Sequence, residues 1–139
     1  NLMIRNRVAR EIDKMFSTFR TFPRIETESA DFTPRVDIRE TNDHVQLVFE
    51  LPGMEKKDIK VVVKDNVLTV SGERKVSTDD SDIRFVRSEI FVGSFSRSFT
   101  LPETIDSEKI KADYRNGLLE VVLAKKEAMK PKEIEVNVG

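Results

Sequence analysis

The fold class is decided by the stretch Ile110-Lys111-Ala112-Asp113-Tyr114-Arg115-Asn116-Gly117-Leu118-Leu119-Glu120-Val121-Val122-Leu123. On both sides of Asn116-Gly117, apolar side chains recur at every second position, which is the period of a strand with one buried face. Asn-Gly is also the preferred pair for a type I′ turn, which joins two antiparallel strands. The stretch therefore predicts a β-hairpin.

The same two-residue period runs through most of the chain between Pro34 and Lys125. Further strands are predicted near residues 45–51, 59–63, 67–70 and 95–101, with a tight turn at Lys64-Asp65-Asn66 between the second and the third of them. Prolines 34, 52 and 102 lie at the ends of these runs, where a missing N–H does not interrupt a ladder. Short strands with turns and little helical sequence between them predict an all-β domain, built as an antiparallel β-sandwich.

One connection inside this domain, residues 73–93, is much longer than a turn. It begins with the polar, charged segment 74–82 and continues with the alternating run Ile83-Arg84-Phe85-Val86-Arg87. A connection of this length in a compact domain is usually functional or disordered. The alternating run is interpreted as a small strand that could pair with a sheet edge of another subunit.

The segment before the domain divides into two parts. Residues 1–22 predict an amphipathic helix, because apolar side chains recur at steps of three and four. Residues 24–33 are polar without a period and predict a linker. The apolar stripe of the helix could pack on its own domain, or on other subunits and on foreign proteins.

The tail after the domain, residues 126–139, is charged and ends in an apolar alternation that includes Ile134 and Val136. Two interpretations stay open. The alternation is either one more strand of the same sandwich or an extended docking peptide on a flexible tether.

Charge and composition argue against several function classes. The chain has 24 basic and 25 acidic residues, and the only local basic excess lies in residues 1–24, so nucleic acid is not a predicted partner. No apolar run approaches the roughly 20 residues that cross a bilayer. The absence of cysteine excludes disulfides and fits a reducing compartment, so a cytoplasmic location is expected.

No catalytic residue, metal site or cofactor is predicted. The single histidine, His44, lies at the start of a strand in a polar setting, and no phosphate-binding loop occurs. Three carboxylates, Asp79, Asp80 and Asp82, lack the glycine and the spaced glutamate of a calcium-binding loop. The chain is therefore not expected to be an enzyme.

The order and spacing of several motifs resemble the small heat-shock proteins. The segment Ala112 to Leu119 is similar to the family signature A-x-x-x-N-G-V-L, matched here by Ala112, Gly117 and Leu119, with Leu118 in place of the usual valine. Segments 49–53, 68–74 and 93–102 support the resemblance. The run Ile134-Glu135-Val136 is similar to the family's I-x-I/V tail motif.

The resemblance implies an α-crystallin domain, an immunoglobulin-like sandwich, over residues 34–125. An N-terminal arm (1–33) and a C-terminal extension (126–139) would flank it. The implied function is that of an ATP-independent holdase chaperone, which binds unfolding proteins and prevents their aggregation. It would work as a dynamic oligomer of strand-exchanged dimers.

The resemblance also assigns residues to contacts between copies. The strand near 83–89, with Ile83, Phe85 and Arg87, would pair with the partner's first strand near 36–39. Ile134 and Val136 of the tail would dock between strands 59–64 and 109–114 of a neighbouring dimer. Val61 and Val63 match the apolar groove positions of the first strand, whereas the face of the second strand that lines the groove stays open.

Client proteins would bind the arm and the vacant groove. The arm residues assigned to this role are Met15, Phe16, Phe19 and Phe22, which are large, apolar and tolerant of irregular partners. Two other classes compete with this interpretation. A monomeric co-chaperone of the CS-domain type would share the sandwich without needing the tail motif, and a membrane-surface protein would use the basic N-terminal helix.

Overall fold

The computed structural model describes residues 26–28, 31–75, 81–131 and 133–139. These residues form eight strands: β1 (Glu26–Glu28), β2 (Val36–Glu40), β3 (His44–Glu50), β4 (Ile59–Lys64), β5 (Val67–Arg74), β6 (Gly93–Thr100), β7 (Ile105–Arg115) and β8 (Leu118–Lys125). Two short 3-10 helices, Lys56–Asp58 and Glu127–Met129, are the helical segments of this described part. The predicted amphipathic helix over residues 1–22 lies outside the described residues.

The strands form two four-stranded antiparallel sheets, with the orders β1-β6-β5-β4 and β2-β3-β8-β7. The predicted all-β sandwich is confirmed. The two tightest hairpins have the predicted turns. Asn116 and Gly117 have φ values of 55° and 76°, and Asp65 and Asn66 have φ values of 52° and 61°, as a type I′ turn requires.

The alternating positions of the strands supply the core. In β3, Val45, Leu47 and Phe49 are fully buried, and they lie opposite Leu123, Val121 and Leu119 of β8. From the other sheet, the side chains that complete this layer are Leu68, Val70, Phe95 and Phe99. Each fully buried side chain of this size contributes about 1.5–3 kcal/mol relative to exposure, so burial of this layer favours face-to-face packing of the two sheets.

The linker interpretation of residues 24–33 is wrong in part. Residues 26–28 form β1, which pairs with β6, and Phe32 is buried in the core with its ring centroid 5.4 Å from that of Phe95. A strand this short has no readable period, and its backbone hydrogen bonds depend on β6, which is far away in sequence. Packing of the domain therefore starts before Pro34.

The relative position of the sheets follows from one contact. Arg97 of β6 donates from Nη1 to the carbonyl oxygen of Pro34, 2.8 Å away and just before β2. This bond places β6 over the β2 side of the other sheet. Given the two strand orders, β4 and β7 then lie together on the opposite side of the sandwich.

The long connection is shorter than predicted at both ends, because β5 extends to Arg74 and β6 starts at Gly93. We refer to residues 75–92 as the β5–β6 loop. Its described part, residues 81–92, contains no strand in the single chain. Isolated alternating residues have no backbone partner here, so the predicted small strand stays a prediction about an assembly of two chains.

Candidate assembly surfaces

One open side of the sandwich is lined by the inward face of β4. Ile59, Val61 and Val63 alternate with exposed residues and are half-buried, with their side chains packed against the core. They lie opposite Gly72, Val70 and Leu68 of β5. No further strand covers β4 in the described part of the chain, so these three side chains form an apolar stripe along an open edge of the sandwich.

The inward face of β7 presents a second apolar stripe. Ile110 and Tyr114 are half-buried and pack against the core, whereas Lys109, Lys111 and Asp113 are exposed. Ala112 shares the inward face, because it lies opposite the fully buried Val121. Ala112 is nevertheless exposed, since its methyl group is too short to fill the space between its larger neighbours. We refer to the surface between the two stripes as the edge groove, and its walls are Ile59, Val61 and Val63 of β4 and Ile110, Ala112 and Tyr114 of β7.

Hydrogen bonds at one end of the groove hold its walls in place. The Tyr114 hydroxyl donates to the carbonyl oxygen of Leu51 at 2.5 Å, and Leu51 N–H donates to the Gly117 carbonyl oxygen at 2.7 Å. Position 72 requires glycine, because a Cβ there would lie 2.5 Å from the backbone oxygen of Asp58. The two hydrogen bonds hold Tyr114 of β7 and the β7–β8 turn against Leu51.

Lysines line the rims of the edge groove. Lys60 and Lys64 occupy outward positions of β4, and Lys109 and Lys111 occupy outward positions of β7. All four are exposed, and none forms an ion pair within the residues that the structure describes. The groove thus has an apolar floor and basic rims.

The tail leaves the sandwich from a fixed root and then extends into solvent. Lys126 N–H donates to the Thr104 carbonyl oxygen at 2.8 Å, and Lys130 Nζ lies 2.7 Å from Glu127 Oε1. The hydrogen bond from Lys130 holds the pKa of the Glu127 carboxyl below its ordinary value. In the single chain, residues 133–139 form no strand, and Ile134 and Val136 are 82% and 83% exposed.

The opposite side of the sandwich presents an open strand edge. Strand β2 pairs with β3 on one side and has no partner on the other within the described chain. Its outer backbone groups are therefore free to pair with an incoming strand, the arrangement that proteins usually protect by assembly.

The β5–β6 loop is exposed along its whole described length. Its large apolar side chains include Ile83 (50% exposed), Phe85 (58%), Val86 (95%) and Phe91 (70%). Exposed apolar side chains so close together in sequence are unusual for a monomer and typical of a contact surface. Arg87 pairs with Glu89 within the loop at 3.1 Å.

Arg74 fixes the end of this loop to the sandwich. Its guanidinium donates to the Phe91 carbonyl oxygen from Nε (2.8 Å) and from Nη2 (2.5 Å), and to the Pro52 carbonyl oxygen from Nη1 (3.1 Å). The carbon of the same guanidinium lies 4.4 Å from the centre of the Phe32 ring. A cavity of about 500 Å³ opens beside these residues.

Asp31 holds the neighbouring turn. Its carboxylate accepts from Ser94 N–H at 2.8 Å and from the Ser94 hydroxyl at 3.2 Å. Gly93 has a φ of 113°, and a Cβ there would lie 2.3 Å from Asp31 Oδ2, so only glycine fits. Arg74, Asp31 and Gly93 thus form a rigid loop root below an exposed loop.

Two buried charged features were missed by the sequence analysis. Arg97 is 9% exposed and occupies a core-facing position of β6 between Phe95 and Phe99. The alternation in the sequence places Arg97 on the same face as Phe95 and Phe99, but its charge predicts an exposed side chain. Glu40 and Lys125 form a buried ion pair of 2.6 Å, and their separation of 85 residues gives no local signal.

The residues considered for catalysis are not brought into a catalytic arrangement. His44 Nδ1 lies 3.1 Å from the Thr41 hydroxyl oxygen, so the first residue of β3 contacts the turn that precedes it. Within the described ranges, no three metal-ligating side chains cluster. Nor does this part of the chain contain a helix that could cross a membrane.

Comparisons with known proteins match this architecture. The model of the Hsp20/alpha crystallin family matches residues 37–138. The chain belongs to this family. It is 35% identical over 137 residues to small heat shock protein C2 of Rickettsia felis, covering 99% of this chain and 89% of that protein.

Solved structures of small heat-shock proteins share the fold of this one. The protein from Xylella fastidiosa is 36% identical with a TM-score of 0.67, covering 78% of this chain and 100% of that chain. Heat shock protein 16.0 of Schizosaccharomyces pombe is 34% identical with a TM-score of 0.66, covering 78% and 99%. The family consists of chaperones, which are not enzymes, and this small heat-shock protein has its α-crystallin sandwich.

Proposed function

We propose that this small heat-shock protein is an ATP-independent holdase that works as a dynamic oligomer of strand-exchanged dimers. The observation that supports the proposal most strongly is that one chain exposes both halves of two contacts. It has an open strand edge and an exposed alternating loop, and it has an apolar groove and an exposed apolar tail.

The first contact is the dimer. In it, Ile83, Phe85 and Arg87 of one chain form a strand that pairs with β2 of the partner. This pairing satisfies the free backbone groups of β2 and buries side chains that are half-exposed or more in the single chain. The rigid loop root supports such an exchange, because it holds the base of the loop while the loop itself reaches outward.

The second contact joins dimers. Ile134 and Val136 of the tail dock in the edge groove of a neighbouring dimer, against Val61 and Val63. Burying two such side chains gains about 3–6 kcal/mol, and ordering the tail costs a similar amount. One docked tail is therefore weak and reversible, whereas many tails together hold a particle through effective concentration.

Reversible docking exposes apolar surface for clients. The proposed client-binding surface consists of Met15, Phe16, Phe19 and Phe22 of the arm, together with a vacated edge groove. The four arm residues lie outside the described residues. Binding of unfolding chains to this surface lowers the concentration of species that aggregate, and no nucleotide or other cofactor is required.

A relative supports the assembly part of the proposal. The small heat-shock protein of Xylella fastidiosa, 36% identical, has a distinct high order structure. The partners proposed for the present chain are other copies of itself and unfolding proteins. Nucleic acid and membranes are not proposed as partners, and the proposed location is the cytoplasm.

The test combines particle mass with client protection. We expect light scattering to give a large wild-type particle, and Ile134→Ala/Val136→Ala to fall to dimers. A matched control, Met129→Ala, shortens an exposed apolar residue at the root of the same tail, outside the motif. Wild type should suppress the aggregation of a heated model client without ATP. A monomeric wild type would overturn the oligomer and favour the CS-domain type, and ATP-dependent protection would overturn the holdase mechanism.

A further inference from the structure

We propose that the basic rims of the edge groove select the tail by charge, through Glu133 and above all Glu135. This inference rests on the proposed function, in which the tail of one copy occupies the groove of another. It adds an electrostatic requirement to the apolar contact, and it makes assembly sensitive to salt.

The alternation of side chains fixes which tail residues meet the rims. The groove wall of β4 presents Ile59, Val61 and Val63 at two-residue steps, and the tail presents Ile134, Val136 and Val138 at the same steps. In an extended segment, successive side chains point to opposite faces. When the three apolar tail residues point into the groove, Glu133 and Glu135 point outward, to the level of the rims.

The rim lysines have no acidic neighbour across their own ladders. Lys60 lies opposite Ser71, Lys64 lies opposite Val67, and Lys111 lies opposite Val122. Glu133 and Glu135 are exposed and likewise form no ion pair within the described chain. Lys109 already interacts with the Glu127 carboxylate, so the rims offer Lys60, Lys64 and Lys111 to a tail segment that carries two carboxylates.

Charge is not uniform along β7, and this gives the docked tail a direction. Beyond Lys109 and Lys111, the outward position is Asp113, which lies opposite Glu120 of β8. A carboxylate next to this acidic pair would be repelled. The two glutamates therefore belong at the lysine end of β7, and the uncharged Asn137 belongs toward Asp113.

The size of the effect follows from the exposure of these groups. Each exposed cross-strand pair strengthens binding by about two- to fivefold, because solvent screens it. Since the apolar gain and the ordering cost of docking nearly cancel, a factor of this size shifts the docked fraction of every tail. Reversing one tail charge removes an attraction and adds a repulsion, so we expect Glu135→Lys to weaken docking by at least about tenfold.

The experiment measures particle mass of the full chain by light scattering at low salt and near 1 M NaCl, where charges are screened beyond about 3 Å. We expect the wild-type particle to lose mass as salt rises, and Glu135→Lys to be dissociated already at low salt. Glu135→Gln should lie between them. Glu103→Lys, the same charge change on the turn between β6 and β7, serves as the control and should keep the wild-type mass.

The decisive variant restores charge complementarity between the tail and the rims of the edge groove. Adding Lys60→Glu/Lys64→Glu to Glu135→Lys should recover the large particle at low salt. If Glu135→Lys keeps the wild-type mass at low salt, or if the reversed rim fails to restore assembly, charge selection is wrong. Ile134→Ala/Val136→Ala separates the two proposals. If this variant also keeps the wild-type mass, tail docking itself fails, whereas its dissociation beside an intact Glu135→Lys particle overturns charge selection alone.

Discussion

The two open sides of the sandwich differ in what they offer a partner. On the β2 side, a whole strand edge is free, and the loop that would complete it carries several large exposed apolar residues. On the β4/β7 side, both walls are already packed, and only a narrow groove with basic rims is left. The first side suits a lasting backbone pairing. The second suits a short peptide that docks and leaves.

The largest expected effect comes from disrupting the proposed dimer contact on the β2 side. We expect Ile83→Asp/Phe85→Asp to weaken dimerisation by at least about 100-fold, because buried anchor residues dominate interface energy. Both side chains are half-exposed or more in the single chain, so its folding should be preserved. Sedimentation at micromolar concentration measures the dimer, in chains that also carry Ile134→Ala/Val136→Ala.

Val86→Asp is the matched control for this experiment. Val86 follows the second anchor directly, is 95% exposed and has the opposite parity. We expect it to keep the dimer. Equal dimer affinities for Ile83→Asp/Phe85→Asp and Val86→Asp would contradict the assigned strand face.

A smaller effect is expected from filling the groove. Ala112→Leu places a side chain in the open space between Ile110 and Tyr114, so we expect tail docking to weaken by about tenfold while the dimer stays intact. Arg115→Leu adds the same side chain to the exposed outward face at the end of β7 and should have much less effect. Light scattering compares the two, and an Ala112→Leu particle of wild-type mass would show that the tail does not use this space.

The sandwich was predictable because its information is local. Alternation fixed the faces of β3, β4 and β8, and the pairs Asp65-Asn66 and Asn116-Gly117 fixed two turns. The lining of the groove was only half predictable, since the pattern of β7 alternates lysines with apolar residues and does not say which face is inward. Pairing with β8 decides that question, and pairing is a property of the folded sheet.

The next largest effect is expected from removing the hydrogen bond between Tyr114 of β7 and Leu51, in the loop after β3. Tyr114→Phe removes the hydroxyl that donates to the Leu51 carbonyl and leaves that oxygen without this partner. We expect the free energy of unfolding to fall by about 1–2 kcal/mol, as measured by urea denaturation. Dimer affinity should not change, because the bond lies on the groove side. A change of less than about 0.3 kcal/mol would mean that water replaces the hydroxyl at no cost.

The smallest effect is expected at the root of the tail. The hydrogen bond from Lys130 lowers the pKa of Glu127, so its stabilisation is present above the ordinary carboxyl pKa and is lost as pH falls through the lowered value. Both groups are exposed enough for solvent to screen them. We expect Glu127→Gln to change the thermal midpoint by less than about 1 °C at neutral pH, with no difference in strong acid. Calorimetry across pH tests this, and a large difference that persisted in acid would contradict the assignment.

Features that join distant parts of the chain could not be predicted from the sequence. Strand β1 depends on β6, and the Glu40–Lys125 pair joins the ends of β2 and β8. The charge of Arg97 predicts an exposed side chain, whereas in the fold its guanidinium donates to the Pro34 carbonyl oxygen. In each case the partner is set by tertiary packing, which no local period records.

The rigid loop root has a consequence for how such chains can diversify. Arg74, Asp31 and Gly93 anchor the base of the β5–β6 loop through bonds that involve none of residues 75–90. Insertions, deletions or substitutions within that stretch therefore leave the sandwich unstrained, because the two ends are held independently of what lies between them. Two copies of the gene could thus come to encode loops that recognise only their own kind, and a single cell could keep separate populations of particles built on one unchanged scaffold.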